Sequence, residues 1–147
     1  MVEIKIQKVS QTRIKKYLEE NSNIFIPPLI TRIDIVEFSG KIYNNAIHFC
    51  AFDNHKLIGF LASYFNHPLK KFGYITTLSV TLEYQNKGIA SKLLNEAFCY
   101  AGLNNFNSIR LEVHKNNLNA IDFYKKKGFE FIEVKKLSYI MEAIIII

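Results

Sequence analysis

The chain has 147 residues, of which 49% are hydrophobic and 22% are charged. This composition is typical of one globular domain, and it excludes intrinsic disorder, a collagen-like repeat and a small disulfide scaffold. The net charge is +6, but only Arg13, Arg32 and Arg110 are arginines. Proteins that recognise a nucleic-acid sequence contact the base edges most often through arginine. Because arginine is scarce in this chain, we expect no nucleic-acid partner. No apolar run could span a bilayer and no signal-peptide core follows Met1, so we expect a cytoplasmic protein without a membrane partner.

The first half of the chain combines strand and helix patterns. Residues 2–9 alternate apolar and polar side chains, which predicts a strand with one exposed face. Two helices, at residues 11–20 and 34–43, are predicted on either side of a loop that contains Pro27 and Pro28. Three further strands are predicted at residues 46–52, 56–65 and 72–80, and the turn Asp53-Asn54-His55 joins the first two as a hairpin.

The second half of the chain predicts two more helices. Residues 90–101 place apolar side chains at i, i+3, i+4 and i+7, which predicts a helix that packs on a sheet and ends at Gly102. A strand at 108–113, a helix at 117–127 and strands at 129–134 and 137–147 follow. This order indicates an α/β domain with a mixed sheet. Since no linker or repeat divides residues 1–147, we expect a single domain.

The turn between a predicted strand and helix at residues 85–90 is a candidate anion site. It reads Gln85-Asn86-Lys87-Gly88-Ile89-Ala90, with Gly88 where the helix begins. Backbone N–H groups in the first turn of a helix have no internal partner, and a glycine lets a phosphate approach the backbone closely. Lys87 and Lys92 add positive charge. The alternative interpretation is an ordinary turn that contains a glycine.

A second motif begins at Asn117. Asn117 and Tyr124 are seven residues apart, so they lie on nearly the same face of a helix. Asn117 is a suitable residue to cap the start of this helix, and Gly128 is a suitable residue to end it. Taken alone, Tyr124 is more typical of a half-buried core residue. Its combination with the turn at residues 85–90 favours a functional role.

Together the two motifs resemble those of the GCN5-related N-acetyltransferase (GNAT) family. The core motif of that family, Gln/Arg-x-x-Gly-x-Gly/Ala, corresponds to residues 85–90. The second motif corresponds to Asn117, Ala120, Tyr124 and Gly128-Phe129. The resemblance implies the GNAT fold, a mixed, mostly antiparallel sheet of about seven strands flanked by about four helices.

The resemblance also implies acetyl-CoA as the cofactor, and no metal. The backbone of residues 78–80 would lie beside the pantetheine arm, the amides of residues 85–90 would hold the pyrophosphate, and Tyr124 would lie near the sulfur. The residues expected to contact acetyl-CoA are Leu78, Ser79, Val80, Gln85, Asn86, Lys87, Gly88, Ile89, Ala90, Ser91, Asn117, Ala120 and Tyr124.

The implied reaction is direct transfer of the acetyl group to a primary amine. Tyr124 suits the general acid, because a phenol with a pKa near ~10 can protonate a thiolate whose conjugate acid has a pKa near ~8.5. Glu112 is the expected general base; a similar glutamate is the base in family members that acetylate protein N termini. Its neighbours in the strand should face the opposite side of the sheet. His114 is the alternative base, and an exposed strand carboxylate is the alternative interpretation of Glu112.

The resemblance implies an acceptor pocket built by residues 23–32, by Tyr64, Phe65 and Tyr74 on neighbouring strands, and by residues 136–139 of the last hairpin. The residues expected to contact the acceptor are Phe25, Pro28, Arg32, Tyr64, Tyr74 and His114. Arg32 would hold an anionic group. The segment Pro27-Pro28-Leu29 resembles small acetyltransferases of bacterial surface-polysaccharide synthesis, so the expected acceptor is an amino sugar, linked to a nucleotide. The alternatives are a protein or peptide N terminus or a lysine. A non-catalytic acetyl-CoA-binding or sensor domain is the alternative of another class.

Two further expectations concern the C-terminal strand and the cysteines. The strand at residues 137–147 is apolar on both faces, so we expect an exposed edge that pairs with a second copy in a homodimer. Cys50 and Cys99 lie in apolar sequence. We expect them to be buried free thiols rather than a disulfide, a metal site or a nucleophile.

Overall fold

A seven-stranded sheet forms the centre of the computed structural model, which describes residues 1–146. The strands are β1 Val2–Ile6, β2 Ile47–Asp53, β3 Lys56–Tyr64, β4 Phe72–Val80, β5 Ser108–His114, β6 Glu130–Val134 and β7 Ser138–Ile144. The helices are α1 Gln11–Glu20, α2 Ile35–Asn45, α3 Ile89–Leu103 and α4 Leu118–Lys126, and short 3-10 turns occupy Ser22–Ile24, Leu29–Thr31 and Leu82–Tyr84. The predicted fold of seven strands and four helices is confirmed.

The order of strands in the sheet is β1-β2-β3-β4-β5-β7-β6. Within residues 1–146, β4 and β5 are the one parallel pair, and each of the other pairs is antiparallel. Side chains alternate between two cores along each strand. On β2, Phe49 belongs to the core beneath α3 and α4, whereas Cys50 belongs to the core beneath α1 and α2. The two helix pairs therefore lie on opposite faces of the sheet.

Local sequence determines where most helices begin. Ser10 caps α1 by accepting a hydrogen bond from the Arg13 N–H, and Asp34 caps α2 by accepting from two N–H groups of its first turn. The end of α3 differs from the prediction, because Gly102 lies inside the helix and the helix continues to Leu103. None of the helices within residues 1–146 has the length and apolar character that crossing a membrane requires.

The parallel strands β4 and β5 separate partway along their length. Their paired residues run only from Phe72↔Ser108 to Ile75↔Leu111, although β4 continues to Val80 and β5 continues to His114. The register between β3 and β4 also shifts at this point, which leaves Thr76 as an extra residue in β4. The extra residue forms a β-bulge, and a bulge bends the strand that contains it. The sheet therefore opens at its centre, where β4 has backbone groups without a partner in β5.

The C-terminal strand is not at an edge of the sheet. Strand β7 pairs with β5 on one side and with β6 on the other, so the expectation of an exposed edge is wrong. The sequence shows that this segment is apolar but not which strands flank it. Of the terminal isoleucines, Ile144 ends β7 and Ile146 is exposed, while Ile147 lies outside the described residues. A homodimer through β7 stays a prediction, without the edge that motivated it.

The two cysteines have different environments. Cys50 is buried in β2, and burial raises the pKa of its thiol to about 12. Cys99 is exposed, so the expectation of two buried thiols is wrong for this residue. It lies between Ala97 and Ala101, which face the core, and therefore on the outer side of α3.

Candidate active site

A cavity of about 490 Å³ lies where β4 and β5 separate. Its walls are the segment between α1 and α2, the diverging ends of the two strands, the start of α4 and the turn before β7. Nine residues predicted from the sequence line it: Phe25, Arg32, Tyr74, Leu78, Glu112, His114, Asn117, Ala120 and Tyr124. The predicted acceptor residues Pro28 and Tyr64 are not in its lining, nor are Ser79, Val80 and residues 85–91.

Tyr124 reaches the cavity from α4. The helix begins where the Asn117 side chain accepts a hydrogen bond from the Ala120 N–H at 3.3 Å, as predicted for a capping residue. The Tyr124 ring packs against Phe129, with the ring centroids 5.4 Å apart. Burial raises the pKa of Tyr124 well above its usual range. The phenol is therefore neutral at physiological pH and carries a proton that it can donate.

Glu112 reaches the same cavity from β5. Its neighbours Leu111 and Val113 are buried in the core beneath α3, which leaves Glu112 on the opposite face, as predicted. The Ser138 hydroxyl donates a hydrogen bond to Glu112 Oε2, and Lys135 Nζ lies 3.8 Å from Oε1. The Glu112 side chain is 40% exposed. These contacts fit an ionised carboxylate, which can accept a proton.

His114 lines the cavity but is a poorer candidate for the base. Its Nδ1 atom accepts a hydrogen bond from the Asn116 N–H at 3.1 Å. This bond requires Nδ1 to be unprotonated, so the neutral ring carries its proton on Nε2. The Nε2 atom is then a hydrogen-bond donor. The geometry favours Glu112 as the proton acceptor.

The turn that precedes α3 presents free backbone N–H groups. The backbone N–H groups of residues 86–91 donate no hydrogen bond to any atom within residues 1–146. Asn86 and Gly88 adopt the left-handed conformation, with φ of 62° and 79°. The Gln85 side chain donates a 2.9 Å hydrogen bond to the Val80 carbonyl, so it anchors the turn to β4. Such a run of free N–H groups at the start of a helix binds anions.

Ser79 contacts α1 rather than the cavity. The Tyr17 hydroxyl donates to the Ser79 carbonyl oxygen at 3.1 Å and lies 3.0 Å from Ser79 Oγ. Burial raises the pKa of Tyr17 to about 12, so this hydroxyl stays protonated. The side chain of Val80 is buried in the core beneath α3. In this part of β4, the cavity is lined by Leu78 and by Thr76 and Thr77.

Two residues of the cavity depend on strand register: Ser138, which lies in the expected acceptor region at residues 136–139 but was not expected to contact Glu112, and Thr77, which was not expected in the site. Ser138 lines the cavity because β7 pairs with β5 in the register His114↔Ser138. Thr77 also lines it, and its buried hydroxyl has no hydrogen-bond partner within residues 1–146. No local sequence signal indicates the contact between Ser138 and Glu112 or the place of Thr77, since both depend on strand register. Within the described part of the chain, no group of three or more His, Cys, Asp or Glu residues is arranged to hold a metal ion.

Comparisons with known proteins find acetyltransferases. A relative from Danio rerio, N-alpha-acetyltransferase 50, is 33% identical over 111 residues, which are 71% of this chain and 66% of that protein. The chain thus spans about two-thirds of that relative's length, and between 24% and 43% of the length of four other curated relatives.

Two solved structures share the fold. The PaiA N-acetyltransferase of Thermoplasma acidophilum in complex with coenzyme A has a TM-score of 0.75 at 22% identity, covering 97% of this chain and 99% of that one. The ribosomal-protein-S18-alanine N-acetyltransferase of Escherichia coli has a TM-score of 0.79 at 18% identity, covering 100% of this chain and 96% of that one. The model of the acetyltransferase (GNAT) family matches residues 14–129. The chain therefore belongs to the GNAT acetyltransferase family, whose cofactor is acetyl-CoA.

Proposed function

We propose that this chain transfers the acetyl group of acetyl-CoA to the α-amino group of a protein or peptide N terminus. The observation that carries the proposal is that Tyr124 and Glu112, a proton donor and a proton acceptor, line one cavity where β4 and β5 separate. The relative from Danio rerio is named as an N-alpha-acetyltransferase, and the protein from Escherichia coli as an alanine N-acetyltransferase. Both names support an α-amino acceptor.

The residues present fit acetyl-CoA. The free N–H groups of residues 86–91 would hold its pyrophosphate, and the unpaired edge of β4 beyond Ile75 would contact its pantetheine arm. Asn117 and Ala120 line the same cavity and would contact the arm from α4. When bound, acetyl-CoA supplies an acetyl thioester. We further propose that residues 1–147 act as a single acetyltransferase domain.

Two proton transfers are assigned to this chain's side chains. The acceptor reaches the site as an ammonium group, and the Glu112 carboxylate accepts its proton directly or through a water molecule. As the nitrogen bonds to the acetyl carbon and the C–S bond breaks, Tyr124 would donate its phenolic proton to the leaving sulfur. The second proton that the nitrogen loses as the amide forms would restore the phenol, directly or through water. Burial raises the pKa of Tyr124, but the same apolar surroundings raise the pKa of a thiol bound beside it. The difference between the two pKa values, which governs the transfer, therefore changes less than either value.

An assay of thiol release tests this function. The protein is incubated with acetyl-CoA and, in turn, with a peptide that has a free N terminus, a nucleotide-linked amino sugar, a polyamine, or no acceptor. We expect free coenzyme A to accumulate with the peptide. Release with the amino sugar alone would instead favour the expected sugar acceptor. Tight binding of acetyl-CoA without release by any amine would identify a non-catalytic binding domain.

A further inference from the structure

The cavity carries one formal charge of each sign. Among the residues that line it, Arg32 is the basic one and Glu112 the acidic one, with His114 as a further titratable group. Arg32 follows the turn Leu29–Thr31 in the segment between α1 and α2, whereas Glu112 lies on β5. The positive and negative groups therefore lie on different walls of the cavity. Such an arrangement is complementary to a ligand with a cationic amine and a nearby anion.

The Arg32 guanidinium is free to bind that anion. The guanidinium makes no ion pair or hydrogen bond within residues 1–146. The hydrogen bond that Arg32 donates there comes from its backbone N–H, to the Leu29 carbonyl. The other two arginines are engaged: Arg13 donates to the His55 carbonyl, and Arg110 lies 2.7 Å from Glu142. Partial burial lowers the pKa of Arg32, and the Glu112 carboxylate opposes this effect. Arg32 is an exposed residue, so its guanidinium is accessible to an anion that enters the cavity.

We propose that Arg32 binds a carboxylate of the acceptor, so that the preferred N termini carry Asp or Glu as their first or second residue. This inference rests on the proposed function. The acceptor amine lies at Glu112, and the acidic side chain accepts two parallel hydrogen bonds from the planar guanidinium. The net charge of +6 favours the approach of an acidic segment over a basic one.

A matched set of peptides tests the role of Arg32. The peptides differ only in having Asp or Asn, or Glu or Gln, at position one or two. For the wild-type protein we expect kcat/KM to be about 10- to 100-fold higher for the acid than for its amide, the range expected of a hydrogen bond to a charged group. In Arg32→Gln this ratio falls to about one, chiefly through a higher KM for the acidic peptides. In Arg32→Lys, which keeps the charge but loses the paired geometry, the ratio is intermediate.

Two controls make the outcome decisive. Arg13→Gln alters an arginine that does not line the cavity and should keep the wild-type ratio. The affinity of Arg32→Gln for coenzyme A, measured by calorimetry, will show whether this variant is folded; we expect the wild-type value. Equal rates on acids and amides by the wild-type protein, or an unchanged ratio in Arg32→Gln, would overturn the role of Arg32 and leave the proposed function intact. Failure to acetylate any peptide, with Arg32-dependent acetylation of a nucleotide-linked amino sugar, would overturn both.

Discussion

The Tyr84 hydroxyl donates a 2.6 Å hydrogen bond to Asp53 Oδ2. This bond connects the turn Leu82–Tyr84, which directly precedes the free N–H groups of residues 86–91, to the hairpin between β2 and β3. It lowers the pKa of Asp53, whose other oxygen lies 3.3 Å from the N-terminal ammonium. The proposed pyrophosphate site is therefore held at one end by a side chain from a different part of the sheet.

Removal of this contact should weaken binding of coenzyme A. In Tyr84→Phe the turn loses its anchor to Asp53, so we expect a higher Kd by calorimetry, with little change in the melting temperature. Asp53→Asn is the matched control, because its amide oxygen still accepts the Tyr84 hydrogen bond. If Tyr84→Phe binds coenzyme A as tightly as the wild-type protein does, the anchor does not organise the site.

Substitution of Gly88 separates charge from backbone strain. A Cβ atom at Gly88 would meet no atom within 4 Å, but its φ of +79° disfavours most side chains. The side chains introduced by Gly88→Asn and Gly88→Asp have nearly the same size, and both residue types tolerate this backbone conformation. We expect Gly88→Asp to abolish coenzyme A binding by repelling the phosphates, while Gly88→Asn retains measurable affinity. Equal affinities for the two variants would show that no phosphate binds at this turn.

Tyr124→Phe tests the general acid. We expect kcat to fall by ~10²-fold or more, because general acid catalysis contributes ~10²–10⁴ to a rate, with little change in coenzyme A affinity. Tyr43→Phe is a suitable control, since Tyr43 lies in α2 and does not line the cavity. An unchanged kcat in Tyr124→Phe would restrict this residue to a role in packing.

Glu112→Gln tests the general base. The glutamine can still accept the Ser138 hydrogen bond but cannot take up a proton, so we expect kcat/KM to fall by ~10²-fold with the fold preserved. Glu133→Gln, on the edge strand β6, should have wild-type activity, since Glu133 does not line the cavity. If Glu112→Gln keeps its activity and His114→Gln loses it, the base is His114.

His48 should make stability depend on pH. Its Nδ1 accepts from the Val9 N–H at 3.0 Å, and Nε2 lies 3.1 Å from the Ile42 carbonyl, so the buried ring links β2 to α2 in its neutral form. Burial is the main cause that lowers the pKa of His48, and Lys8 lowers it further. The unfolded chain then binds more protons, so stability is lost as the pH falls below ~6.5.

Urea unfolding at several pH values measures this effect. We expect the midpoint to decrease between about pH 7 and pH 5 in the wild-type protein. The control is His55→Asn, which alters an exposed histidine in the hairpin turn and should leave the dependence unchanged. A midpoint that stays constant over this range would show that protonation of His48 does not destabilise the fold.

The elements and the two motifs could be predicted because their signals are local. The period of the apolar side chains indicated the helix at residues 90–101, and the capping residues Asn117 and Gly128 indicated the helix between them. The separation of β4 from β5 could not be predicted, because it depends on which residues pair across strands. For the same reason Ser138 was missed as a partner of Glu112.

Burial was harder to predict than secondary structure. The apolar C-terminal strand was expected at an edge, but β6 pairs along its outer side. An apolar strand has the same sequence pattern whether a neighbouring strand or another molecule covers it. Cys99 likewise lies among apolar residues in sequence and yet is exposed, because the neighbours along a helix point in different directions.

Tyr124 and Glu112 are proposed to carry out the two proton transfers that accompany acetylation of an α-amine. The most direct measurement is mass spectrometry of a peptide that has both a free N terminus and a lysine, after incubation with acetyl-CoA. We expect a single acetyl group on the α-amine, formed by the wild-type protein and much more slowly by Tyr124→Phe and by Glu112→Gln. Acetylation of the lysine alone, or a rate that neither substitution changes, would contradict this proposal.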